Sequence, residues 1–195
     1  MKLLVRVQKS RRQPLPMHFK ICKIAVGVCL LLIVLLISGV AAHLTLNITP
    51  SWPLGLYHSK NITDNMDGYK DQLVLVCLDP DNPVIRKAND LEILPTGTGC
   101  PGRQAPLMKK LVGLPGDQVA ITDQGVTING RIIKNSKVKF KFFEVEYHPG
   151  YSHTLQPNEY WIMSDYNANS LDSRYFGPVA RSQIKQSTQP ILTIK

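Results

Sequence analysis

Residues 24–42 are nineteen consecutive residues without a charge, nearly all Leu, Ile, Val, Ala or Gly. A helix needs about 20 such residues to cross a bilayer core. The run therefore predicts one membrane span, and it leaves residues 43–195 to fold as a domain large enough to bury a core. Orientation follows from charge. Residues 1–23 carry Lys2, Arg6, Lys9, Arg11, Arg12, Lys20 and Lys23 and no acid, and so hold +7 of the net +9. The remaining chain has 16 basic and 14 acidic residues. Basic flanks stay in the cytoplasm, so the excess reads as a topology signal and nucleic acid is not an expected partner. A cleaved signal peptide is the rival reading, because Val40-Ala41-Ala42 resembles a small-residue cleavage site. The apolar run exceeds the about 7–15 residues of a signal-peptide core, which favours an uncleaved anchor. The expected organisation is a basic cytoplasmic segment (1–23), a transmembrane anchor (24–42) and an exported domain (43–195).

The exported part reads as mainly β. Leu73-Val74-Leu75-Val76-Cys77-Leu78 is a short buried-strand pattern. Strands are also expected at 108–112, 119–122, 126–128, 131–133, 140–147, 159–163 and 191–194. Asn129-Gly130 between two of them is a hairpin signal, since both residues tolerate positive φ. No soluble helix is expected beyond a turn near 167–173, and residues 79–106, rich in Pro and Gly, read as one long loop. Loops of that length usually carry a function or a staple. Cys77 and Cys100 are the exported cysteines, whereas Cys22 and Cys29 lie at or within the span. Two thiols in an oxidising compartment usually pair, so a Cys77–Cys100 disulfide is expected. There is no Cys-x-x-Cys and the histidines are scattered, so neither a metal site nor a cofactor is expected.

Chemistry concentrates in three runs. Ser51 opens Ser51-Trp52-Pro53-Leu54-Gly55-Leu56-Tyr57 shortly after the span. A serine hydroxyl needs a base to become a nucleophile. His43, His58, His148 and His153 have no recognisable triad context. Lysine can serve if burial keeps its amine neutral. Lys109 and Lys110 stand in an otherwise apolar run, and strand alternation lets only one of them enter an apolar pocket. Residue physics alone does not choose between them. The third run is Ser170-Leu171-Asp172-Ser173-Arg174-Tyr175-Phe176-Gly177.

Ser-x-Pro after an anchor, then Lys109-Lys110-Leu111-Val112-Gly113-Leu114-Pro115-Gly116-Asp117, then residues 164–177, together resemble the type I signal peptidase family. The Ser-x-Pro-x-Gly-x-Tyr run and Gly99-Cys100-Pro101-Gly102 followed by Ala105-Pro106-Leu107-Met108-Lys109 resemble its TraF-type, conjugative-transfer branch. Trp52 stands where methionine is usual, Ser164 where glycine is usual, and the large inserted second domain of the general-purpose enzymes is missing. The resemblance implies a partly barrel-like antiparallel β domain on a single N-terminal helix. It implies Ser51 as nucleophile, Lys109 as general base and Ser170 orienting the lysine. Asp172 and Arg174 would brace the site, and the Ser51 N–H with the Thr49 hydroxyl would form the oxyanion hole. It further implies placement in the bacterial inner membrane with the domain periplasmic. The implied partners are the membrane, a pilin precursor or another signal-peptide-bearing protein, and other conjugation proteins. The alternatives are a general signal peptidase and a catalytically silent module that binds a conjugation or secretion component.

Overall fold

The computed structural model describes residues 17–41, 43–139 and 149–194. The strand expected at 140–147 and the first 16 residues lie outside the described residues. The chain divides into two compact units, 1–42 and 43–195. In the first, helix α1 (Met17–Ala41) contains residues 24–41 of the apolar run and is long and apolar enough to cross a membrane. Its 25 residues extend about 37 Å at 1.5 Å per residue.

The second unit is mainly antiparallel β. In chain order its elements are β1 (Leu44–Asn47), β2 (Leu54–Asn61), β3 (Leu73–Val76), α2 (Pro83–Asp90), β4 (Leu107–Gly113), β5 (Gln118–Thr122) and β6 (Gly125–Ile128). There follow β7 (Arg131–Ile132), β8 (Ser152–Thr154), β9 (Glu159–Met163), the single turn α3 (Ser173–Phe176), β10 (Val179–Ala180) and β11 (Ile184–Ile194). Seven strands form one sheet in the order β1-β2-β11-β3-β4-β9-β10, and a smaller sheet runs β7-β6-β5-β8. The larger sheet buries Val74, Val76, Leu111 and Ile162 beneath α2 residues Val84, Ile85 and Ala88. The smaller sheet closes over Trp161 and Met163 with Val119, Ile121 and Val126. At the predicted hairpin Asn129 and Gly130 have φ of 50° and 77° and join β6 to β7.

Several features depart from the sequence reading. Strands β1, β2, β8 and β10 are not among those expected. Residues 79–106 are not a single loop, because α2 lies within them. The Asn82 side chain accepts from the Val84 and Ile85 N–H groups and Pro83 opens the helix, a strong start signal obscured by the surrounding prolines. The last strand begins at Ile184, upstream of the expected 191–194, and lies between β2 and β3. Its buried positions include Ser187 and Thr188, so hydropathy conceals its first half. The disulfide joins Cys77 to Cys100 across 23 positions. A closed loop of that size stabilises the fold by about 3 kcal/mol through the unfolded chain's entropy.

Register places Leu46, Leu56 and Leu192 on one face of the sheet, with Leu54 opposite Ile194 and Leu44 opposite His58 on the same side. Leu44, Leu46, Leu54, Leu192 and Ile194 are exposed there, whereas Tyr57, Ser59 and Thr188 on the other face are buried. A Cβ at Gly55 would collide with the Leu192 carbonyl, so the turn out of the Ser51 loop requires glycine.

Candidate active site

Strand β4 lies between β3 and β9, with Val74 opposite Lys109 and both Leu73 and Met163 opposite Lys110. Alternation sends the two lysines to opposite faces. Lys109 is 2% exposed. Its Nζ donates to Ser51 Oγ at 2.7 Å and to Ser170 Oγ at 2.9 Å. Lys110 turns outward and pairs with Asp165 at 2.8 Å. Burial pushes the Lys109 amine down from the ordinary 10.5 to about 8; Asp172 works against that shift and Arg174 adds to it. About a tenth of this amine is thus neutral at pH 7, rising to half near pH 8. A neutral buried amine 2.7 Å from a hydroxyl is placed to take its proton.

The Ser51 loop hangs between β1 and β2 and is organised by a residue that sequence reasoning missed. Asn47 is buried, and its Nδ2 donates to the carbonyls of Thr49 (3.0 Å), Trp52 (3.0 Å) and Pro53 (3.1 Å). Its Oδ1 accepts from the Thr49 N–H (3.2 Å) and the Thr49 hydroxyl (3.0 Å). An asparagine before a turn was the available signal. In this arrangement the Thr49 hydroxyl is turned toward Asn47, and it must rotate to donate elsewhere. Trp52 stacks on Tyr166, with centroids 5.9 Å apart and planes 18° from parallel.

Ser170 lies on the segment entering α3. Its hydroxyl also reaches Ser51 Oγ at 3.3 Å. Asp172 and Arg174 form a pair with fully buried side chains, Nε to Oδ1 2.7 Å and Nη2 to Oδ2 2.8 Å. The guanidinium also donates to the carbonyls of Ser170 (3.1 Å), Asn135 (3.0 Å), Lys137 (3.2 Å) and Ala168 (3.3 Å). This pair therefore fixes the backbone that presents Ser170. Three histidines are engaged elsewhere: the His43 and His58 rings lie with centroids 5.8 Å apart and planes tilted by 54°, and His153 contacts Glu159 at 2.6 Å.

Residues 17–192 match the family model described as "Signal peptidase, peptidase S26". The chain belongs to the S26 signal peptidase family. It is 37% identical over 164 residues to an Escherichia coli protein described as plasmid transfer protein TraF, covering 82% of this chain and 89% of that one. It is 31% identical over 157 residues to a conjugal transfer protein TraF of Agrobacterium fabrum strain C58, covering 80% and 86%. Among solved structures it resembles a signal peptidase I from Enterococcus faecalis V583, at 21% identity and a TM-score of 0.34, covering 59% of this chain and 91% of that one. Within the S26 family the chain is a TraF-type member, and the Ser51, Lys109 and Ser170 cluster lies inside the matched region.

Proposed function

We propose that the chain is a membrane-anchored serine endopeptidase in which Lys109 is the general base for Ser51. The observation that carries this is the 2.7 Å approach of a buried Lys109 amine to Ser51 Oγ. In the neutral amine the hydrogen bond reverses, so Ser51 Oγ–H donates to Nζ while an Nζ–H donates to Ser170 Oγ. Ser51 Oγ attacks the scissile carbonyl and its proton passes to Nζ. The resulting ammonium returns the proton to the departing amine, leaving an ester on Ser51. Water or a second amine then releases the acyl group, giving a linear or a cyclic product. The Ser51 N–H and the Thr49 hydroxyl, once rotated, receive the oxyanion; losing one such donor costs ~10²–10³ in rate.

The substrate proposed is a conjugative pilin precursor. The identities to proteins described as plasmid and conjugal transfer TraF support this reading. The domain is placed in the periplasm, with residues 24–42 as an uncleaved inner-membrane anchor and residues 1–23 in the cytoplasm. The basic excess before the span supports that orientation. The bare apolar face of β1, β2 and β11 supports work at the bilayer surface.

The test is the intact mass of the candidate pilin from cells carrying the wild-type protein or Ser51→Ala at equal membrane levels. Uncleaved precursor confined to the variant is expected. A wild-type product one water lighter than the linear cleaved peptide identifies cyclisation, and equal mass identifies hydrolysis. Identical mature pilin in both strains, together with a conjugation defect, would instead support a silent binding module.

A further inference from the structure

We infer that Asn167 and Ser164 are positioning residues that clamp the two peptide planes flanking Ser51, with Asn167 aiming the Ser51 N–H at the developing oxyanion. The inference rests on Ser51 being the nucleophile, as proposed above. Asn167 Nδ2 donates to the Pro50 carbonyl at 3.0 Å. In a trans peptide the carbonyl and the following N–H point in opposite directions. Holding Pro50 O therefore sets the direction of the Ser51 N–H, which makes no hydrogen bond among the described residues. Donation to the carbonyl also polarises the same amide and strengthens its N–H as a donor. The orientation of the Asn167 amide is fixed, because its Oδ1 accepts from the Asn169 N–H at 2.8 Å. A flipped amide would set donor against donor there.

Ser164 holds the next plane. It is 0% exposed, and its Oγ donates to the Ser51 carbonyl at 2.6 Å. The same oxygen accepts from the Asn167 N–H at 3.0 Å and the Tyr166 N–H at 3.3 Å, so its one hydrogen and both lone pairs are used. The Ser164 N–H donates to Asp172 Oδ2 at 3.0 Å. A continuous path thus runs from the buried Arg174–Asp172 pair through Ser164 to the nucleophile's backbone. Glycine at this position would have no hydroxyl to make the Ser51 link.

The first variant is Asn167→Asp, which keeps the shape and the Asn169 contact but puts an anionic acceptor where the donor to Pro50 stood. Asn167→Ala removes the donor without adding charge, and Ser164→Ala removes the second link. Full-length detergent-solubilised enzyme would be assayed on a fluorogenic peptide with Ala-X-Ala before the scissile bond. A peptide aldehyde of the same sequence, which forms a tetrahedral adduct, would serve as inhibitor. Asn167→Asp and Asn167→Ala are each expected to lower kcat about tenfold, less than the ~10²–10³ for losing an oxyanion donor itself. KM and melting temperature should stay near wild type, and aldehyde affinity should fall in step with kcat. Asn167→Ala should leave the acid limb of the pH profile in place, because Lys109 keeps its contacts. Ser164→Ala should give a smaller loss of the same kind. Wild-type kcat in both Asn167 variants, or a loss confined to KM or melting temperature, would overturn the inference. Retained activity in Ser51→Ala would instead overturn the nucleophile assignment on which it rests.

Discussion

Replacing Lys109 with methionine is expected to abolish processing and at the same time stabilise the folded protein. The activity loss is that of a general base, ~10²–10⁴-fold. The stability gain follows from linkage. The Lys109 amine titrates at about 8 in the folded domain and at the ordinary 10.5 when unfolded. Between those values the unfolded chain binds more protons, so wild-type stability rises with pH through that window. Below about 8 both states are protonated and the folded domain bears the full cost of a buried ammonium, about 3 kcal/mol. Methionine of similar length removes that cost, and Ser51 and Ser170, 3.3 Å apart, can still bond each other. Thermal melts at neutral and alkaline pH check this. The variant should melt higher at neutral pH and lack the alkaline rise. In the wild type, kcat/KM should climb with pH along an acid limb centred near 8, as the amine becomes neutral. A variant that melts lower and keeps the wild-type pH slope would mean that Lys109 is not held as an unfavourable buried cation.

Asp172→Asn is expected to be the most destabilising single change near the site. It leaves the Arg174 guanidinium, 0% exposed, without its carboxylate. Removing one partner of a buried pair costs about 3–5 kcal/mol, against total domain stabilities of about 5–15 kcal/mol. The melting temperature should fall by roughly 2–4 °C for each kcal/mol. The same change reaches the chemistry. Asp172 holds the Lys109 pKa up, so its loss lets the amine fall further and moves the acid limb of kcat/KM to lower pH. A lower melting temperature with an unmoved acid limb would make the pair a brace for Ser170 alone.

What was legible in the sequence follows the range of the interactions. Ser51 and the lysine pair stood out because each sits in a distinctive local run. The choice of Lys109 over Lys110 came from the family resemblance and not from residue physics, because physically it depends on pairing with β3 and β9, which comes from distant parts of the chain. Helix α2 was hidden by brevity and by neighbouring prolines, and the first half of β11 by buried hydroxyl residues. Ser164 and Asn167 were the least legible. Their partners, Ser51 and Pro50, are 113 and 117 positions away, and no local pattern encodes a side chain reaching a backbone carbonyl across that span.

The most direct test is to trap the ester on Ser51. Wild-type enzyme would be mixed with the Ala-X-Ala peptide, acid-quenched during turnover, digested and read by mass spectrometry. The peptide carrying Ser51 should gain the mass of the substrate's N-terminal acyl part, and Ser51→Ala should show neither the adduct nor cleavage. An adduct on another residue, or cleavage by Ser51→Ala at the wild-type rate, would contradict the assignment of Ser51 and Lys109 as the reacting pair.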